Sequence, residues 1–222
     1  MQDTSGGAAK GQGSRYDRRR EATRSRLLSA LRGLLMSRGL GDFTIEEITE
    51  AADVGKGTFY HHFDSKEDAL QTLATAHVIE QTQANRRLVS TIEDPAEVIA
   101  VAFRHTLRQL TQDPIYRWFV LSSEVPRDKL NEVVGPGGRR DIERGVAEGR
   151  FRTPFSPTLF HFLLGGGIAV AAGHVEGTMT DTDLDAAAAY VLCCLGIDPE
   201  EASEITSRPL PELKPATEGV VV

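Results

Sequence analysis

Cysteine is nearly absent from this 222-residue chain, and the two that occur, Cys193 and Cys194, are neighbours. Adjacent cysteines in a helical segment point in different directions, which argues against a disulfide framework and fits a reducing compartment. Long apolar runs are also missing. The longest, Leu159 to Ala172, carries His161, falls short of a bilayer span and reads as a buried helix. The opening MQDTSGGAAKGQGS holds no apolar stretch of the kind a secretory signal needs. The expectation is a cytoplasmic protein with no membrane partner. No segment alternates apolar and polar residues as a half-buried strand does, so the expected fold class is all-α. The histidines, His61-His62, His77, His105, His161 and His174, lack metal-site spacing, and no nucleophile motif accompanies them. Neither an enzyme, a metal nor a cofactor is expected.

What is present is a charge asymmetry. The formal net charge is -7, yet Lys10 to Leu40 holds nine Lys or Arg against Asp17 and Glu21. A basic N-terminal segment on an acidic body suits a polyanionic partner.

Residues 1–14 are rich in Gly, Ser and Gln and are expected to form a disordered arm. Leu27, Leu28, Leu31, Leu34 and Leu35 share one helical face, placing a first amphipathic helix over Tyr16 to Arg38. Thr44 and Glu47 form the pattern of a capping box for a second helix, with Ile45, Ile48, Ala51 and Ala52 on its apolar side. Asp53, Val54 and Gly55 make a tight connection in which Gly55 supplies unusual backbone angles. A short third helix then runs from about Lys56 to His62, with Phe59 and Phe63 inward. Ser65 and Asp68 mark the start of a long fourth helix towards Leu88. Further helical patterns cover Ala96–Thr111, Ile115–Ser122, Arg139–Gly149, Pro157–Val175 and Asp183–Leu195. With Pro199, Pro209, Pro211 and Pro215, residues 198–222 read as an irregular tail. Gly165, Gly166 and Gly167, in mid-helix, imply a kink or close packing.

The stretch VGKGTFYHHF, Val54 to Phe63, begins like a phosphate-binding loop. A loop of that type needs Gly, four residues, then Gly-Lys-Ser/Thr, but Gly57 follows Lys56 and Glu50 stands where the first Gly belongs. It also follows a helix instead of a strand. A capped helix, a Gly-containing turn and a second short helix fit a helix-turn-helix, whose second helix enters the DNA major groove. Lys56 and Gly57 then sit where a helix N-terminus favours a phosphate. Thr58 suits a base edge or a thymine methyl, and Tyr60, His61 and His62 remain for the groove and its rim.

The run FTIEEITEAADVGKGTFYHHFDSKEDAL, Phe43 to Leu70, resembles the DNA-binding signature of the TetR family of bacterial transcriptional regulators, most specifically in KGTFYHHF followed by SKE. The likeness covers about Arg15 to Leu73. One departure is Gly55, where the family often has Ser or a similar capping residue, so the third helix is expected to start more loosely. The resemblance implies that Thr44 meets a phosphate, that Lys56, Gly57, Thr58, Tyr60, His61 and His62 form the recognition surface, and that Lys66 clamps another phosphate. Arg15, Arg18, Arg19 and Arg20 form a basic arm able to reach an adjacent groove. It further implies a helix-turn-helix domain over 15–64 and a helical regulatory and dimerisation domain over 65–197. The last two helices there would pair with a second copy. Phe103, His105, Tyr116, Trp118, Phe119, Phe160 and Phe162 supply aromatic material for an enclosed small-molecule pocket. The implied function is a homodimeric repressor, bound to a palindromic double-stranded DNA operator and released by a small-molecule effector. The alternatives are a ligand-independent DNA-organising protein and an activator of the same fold.

Overall fold

The leucine spacing of the basic segment produces the helix it implies. In α1 (Gly13–Arg38), Leu27, Leu28, Leu31 and Leu35 are buried while Arg15 to Arg20 are exposed. The computed structural model describes residues 13–38, 43–121 and 127–213, and every regular element among them is an α-helix. After α1 come α2 (Ile45–Ala51), α3 (Lys56–His62) and α4 (Lys66–Val89). They are followed by α5 (Pro95–Gln112), α6 (Pro114–Leu121), α7 (Arg127–Ala147), α8 (Pro157–Val175), α9 (Asp181–Cys194) and α10 (Pro199–Ser207). The expected disordered arm lies outside the described residues except for Gly13 and Ser14, which open α1.

The described chain divides into two compact units, with the boundary between Leu73 and Ala74 inside α4. The first unit therefore extends past the expected limit at residue 64. Its core joins the leucines of α1 to Phe43, Ile48, Phe59, Phe63 and Leu70. Phe59 is wholly buried, with Phe63 at 5.5 Å between ring centroids, and burial of such a ring contributes roughly 1.5–3 kcal/mol.

In the second unit α5 is central, packing against α6, α7, α8, α9 and α10. One core cluster gathers Ile99, Ile142, Phe151, Leu163, Leu192, Leu195 and Ile205. Polar ties close it. Arg150 holds the Asp94 carboxylate through two bonds of 2.8 and 3.1 Å and reaches Glu201 at 2.7 Å, keeping the Asp94 carboxyl below its usual range. Arg104, itself buried, donates to Asp185 at 2.8 Å and to the Arg208 carbonyl at 2.9 Å.

Two expectations change here. The seventh helix starts at Arg127 instead of Arg139, running through Gly135, Pro136, Gly137 and Gly138. Those residues disfavour helix locally, but packing overrides propensity. Gly138 leaves room for the Phe160 ring, which a Cβ there would meet at 2.8 Å. The supposedly irregular tail contains α10, capped by Asp198, whose side chain accepts from the Glu200 amide at 2.9 Å. Pro199 occupies its first turn, where no amide donor is required, and Ala202, Ile205 and Thr206 are buried.

Candidate nucleic-acid interface and ligand cavity

Thr44 and Glu47 form the expected capping box. The Glu47 amide donates to Thr44 Oγ1 at 3.2 Å, and the Thr44 amide donates to the Glu47 carboxylate at 2.8 Å. Arg38 also pairs with Glu47, tying the end of α1 to the start of α2 and holding the Glu47 carboxyl below its usual range. The turn to α3 differs from expectation in one residue. Asp53, not Gly55, adopts the left-handed conformation, with φ 51°. Gly55 is an ordinary extended N-cap at φ -75°, ψ 151°, and it gives α3 no side-chain cap. The first amides of that helix are consequently open to an external acceptor.

Helix α3 presents the expected recognition residues outward. Lys56, Gly57, Tyr60 and His61 are exposed, while Thr58 and His62 are half-buried. The Tyr60 ring stands edge-on to Phe59 at 5.6 Å, so the buried phenylalanine sets its direction. Lys56 pairs with Glu46 across the turn, which holds the Glu46 carboxyl below and the Lys56 ammonium above their ordinary values. A phosphate contact by Lys56 therefore competes with Glu46. His62 faces inward more than its neighbours: its Nδ1 is buried without a partner in the protein, and burial pushes the imidazole below its ordinary value. His61, Arg20 and Arg24 push it further, showing that the basic side of α1 adjoins the end of α3. Arg24, not among the expected arm residues, lies over the Phe63 ring at 5.2 Å.

Lys66 is half-buried. Its Nζ donates to the Phe43 carbonyl at 3.3 Å and lies 5.4 Å from the Phe43 ring centroid. It braces α4 against the entry to α2 as well as carrying a charge. Arg15, Arg18, Arg19 and Arg20 all lie exposed on the first turns of α1.

The second unit contains a cavity of about 150 Å³ that is partly open to solvent, not the fully enclosed pocket expected. Its wall is mainly apolar, including Leu107, Ile142 and Leu163, with polar groups from Asn85, Thr106 and Asp141. Three of the seven expected aromatic residues, Phe103, Tyr116 and Phe160, border it. The other four lie elsewhere. His105 Nε2 bonds to the Pro211 carbonyl at 2.9 Å, Phe119 is spent in the core, Trp118 is half-buried off the cavity, and Phe162 is 71% exposed. Aromatic content alone did not separate these places. Asn85 and Asp141 are polar residues on helices, a pattern that reads as solvated surface and so gave no signal.

Helix α8 buries only Leu163, Gly167, Ala171 and Gly173. Gly167 explains close packing, since a Cβ there would meet Phe103 Cζ at 2.6 Å, but Gly165 and Gly166 have nothing near them. Phe162, Gly165, Gly166 and Ala169 form an exposed stripe at helical spacing, and Tyr190 and Cys194 do the same on α9. Among the described residues no cluster of His, Cys, Asp or Glu suited to a metal occurs.

Comparison with known proteins matches both units. The family described as "Bacterial regulatory proteins, tetR family" matches residues 27–72, and "Tetracyclin repressor-like, C-terminal domain" matches residues 94–208. The crystal structure of RolR in complex with resorcinol is similar at a TM-score of 0.77 and 34% identity, over 89% of this chain and 100% of that one. The transcriptional repressor AcnR of Corynebacterium glutamicum is 26% identical over 151 residues, 64% of this chain and 76% of that protein. An uncharacterized HTH-type transcriptional regulator of Mycobacterium tuberculosis is 32% identical over 107 residues, 46% of this chain; the match spans about half (51%) of that relative. By length and composition α8 could cross a membrane, contrary to the expectation that its apolar run is too short, but it falls inside the matched C-terminal domain. Its 19 residues form one helix of that regulatory domain. With a helix-turn-helix unit and a helical C-terminal unit each matched over most of its length, the chain belongs to the TetR family of bacterial regulatory proteins.

Proposed function

We propose that this protein is a cytoplasmic homodimeric repressor that binds a palindromic DNA operator and is released by a small molecule held in the second unit. The observation that carries the reading is α3, seven residues with one buried side chain and a polar outer face, on a capped helix-turn-helix beside a basic α1. In this reading Thr58 and His61 meet base edges. Lys56, Gly57, Tyr60, His62, Thr44 and Lys66 meet or border phosphates, and Arg15, Arg18, Arg19 and Arg20 reach the neighbouring groove. A second copy pairs through the outward stripes of α8 and α9, where Gly165 and Gly166 permit close approach. Dimerisation places two recognition helices on half-sites about 34–36 Å apart or a multiple of it.

The cavity supports a ligand-responsive regulator over a ligand-independent DNA-organising protein. RolR, at 34% identity, is described with resorcinol bound, and a one-ring compound suits a volume of about 150 Å³. A ligand that prefers the conformation unable to hold DNA weakens operator binding by its differential affinity, typically about 1–3 kcal/mol. Helix α4 is the lever, for it carries Lys66 at its start and Asn85 towards its end. Selection from a randomised duplex library with purified protein should return a two-fold symmetric site. Lys56→Ala should then weaken binding to all sequences and flatten the salt dependence, whereas His61→Ala should relax preference at one or two positions. A library that returns no preferred sequence overturns the reading.

A further inference from the structure

We propose that the cavity of the second unit selects neutral, single-ring hydroxyl compounds, and that Asn85 Oδ1 is the acceptor that recognises the ligand hydroxyl. This rests on reading that unit as the ligand-binding one. Asn85 lies on α4, 7% exposed, in the cavity wall. Its Nδ2 donates to the Ala102 carbonyl at 2.9 Å. A carbonyl only accepts, so the amide cannot be reversed, and the remaining polar atom is necessarily Oδ1. That oxygen is buried and has no hydrogen-bond partner in the protein. The Thr106 hydroxyl cannot serve it, because it donates to the same Ala102 carbonyl at 2.9 Å. A buried acceptor without a donor is unfavourable, and a ligand O–H removes the deficit.

The rest of the wall narrows the class. A cavity of about 150 Å³ matches the engineered apolar cavities that hold benzene, so it has room for one ring. Phe103 and Phe160 limit it from two sides, each ring pressed to a glycine, Gly167 and Gly138, at distances a Cβ would not allow. Asp141 adds a second polar group, its carboxyl pushed up by burial. Arg86 also borders the cavity, but it is an exposed residue whose charge is open to solvent and screened there. A carboxylate ligand would set oxygen against oxygen at Asn85, whereas a phenol supplies the donor that Asn85 lacks.

The test is calorimetric titration of the full-length protein with phenol, toluene and benzoate. Toluene has nearly the shape of phenol and is the more apolar, so without a hydrogen bond to Asn85 it binds tighter. We expect phenol to bind at least about tenfold tighter than toluene, with benzoate weakest. In Asn85→Leu the order of phenol and toluene should reverse, and retained toluene binding shows that the cavity is intact. Toluene equal to phenol in the wild type, benzoate tightest, unchanged phenol preference in Asn85→Leu, or no binding of any probe overturns the proposal. Operator affinity in the same series separates it from the release mechanism. Asn85-dependent phenol binding without DNA release upholds the cavity chemistry and defeats release. Release by a carboxylate while phenol does not bind defeats the cavity chemistry and leaves release standing.

Discussion

Helices α3 and α8 present opposite kinds of exposure. Phe59 of α3 is wholly buried and the residues around it are polar and outward, whereas Phe162 of α8 is 71% exposed in a helix that is apolar nearly all round. A polar outer face beside the basic α1 suits a polyanion, which water-exposed charges can recognise without losing solubility. An apolar outer face of comparable prominence suits another protein surface, because only burial removes its contact with water. The two faces thus suit chemically different partners.

The contrast breaks most sharply at the two phenylalanines. Phe59→Ala should cost about 3–5 kcal/mol and abolish operator binding, as monitored by urea denaturation and gel shift. Phe162→Glu should leave monomer stability within about 0.5 kcal/mol, since its ring is exposed in the single chain. It should nonetheless convert the dimer to monomer in sedimentation velocity and weaken operator binding. A Phe162→Glu protein that remains dimeric would remove α8 from the interface.

Two smaller effects sharpen the description of the first unit. The His62 imidazole is held below its ordinary value by burial first, so the folded unit binds that proton more weakly than the unfolded chain does. The unfolded state then takes up more protons as pH falls below about 6.5, and stability drops in that window. His62→Asn should reduce this pH slope in denaturant titrations at pH 5 to 7, values chosen to bracket an ordinary histidine at about 6.5. An unchanged slope would place the effect elsewhere. The smallest effect is at Gly55, which caps α3 without a side chain and has open space around a Cβ. Gly55→Ser should stabilise by a few tenths of a kcal/mol, read as a small rise in Tm.

The first unit was the more legible in sequence because its signals are local. Thr44 with Glu47, the bounds of α3, and Ser65, whose Oγ accepts from the Asp68 amide at 3.1 Å, all appear as the spacing implied. The exception, Asp53 taking the left-handed turn expected of Gly55, shows that the residue best able to adopt a conformation is not always the one that must. In the second unit local signals misled. Gly135 to Gly138 argued against a helix that α7 nonetheless forms, and the prolines around α10 hid Asp198 and Pro199, which are themselves good starting signals. Phe119 and Phe162 were indistinguishable from Phe103 and Phe160 as candidates until the packing placed one in the core and one in solvent.

By itself, then, the sequence determined the all-helical class, the helix-turn-helix and its outward residues, because caps and apolar periodicity act within a few residues along the chain. Only the tertiary structure decided which aromatic rings border the cavity, that Gly167 admits Phe103 while Gly165 and Gly166 face outward, and that Asn85 is left with an unused oxygen. Those outcomes depend on side chains brought together from different helices, and no single segment carries the information about where its neighbours will lie.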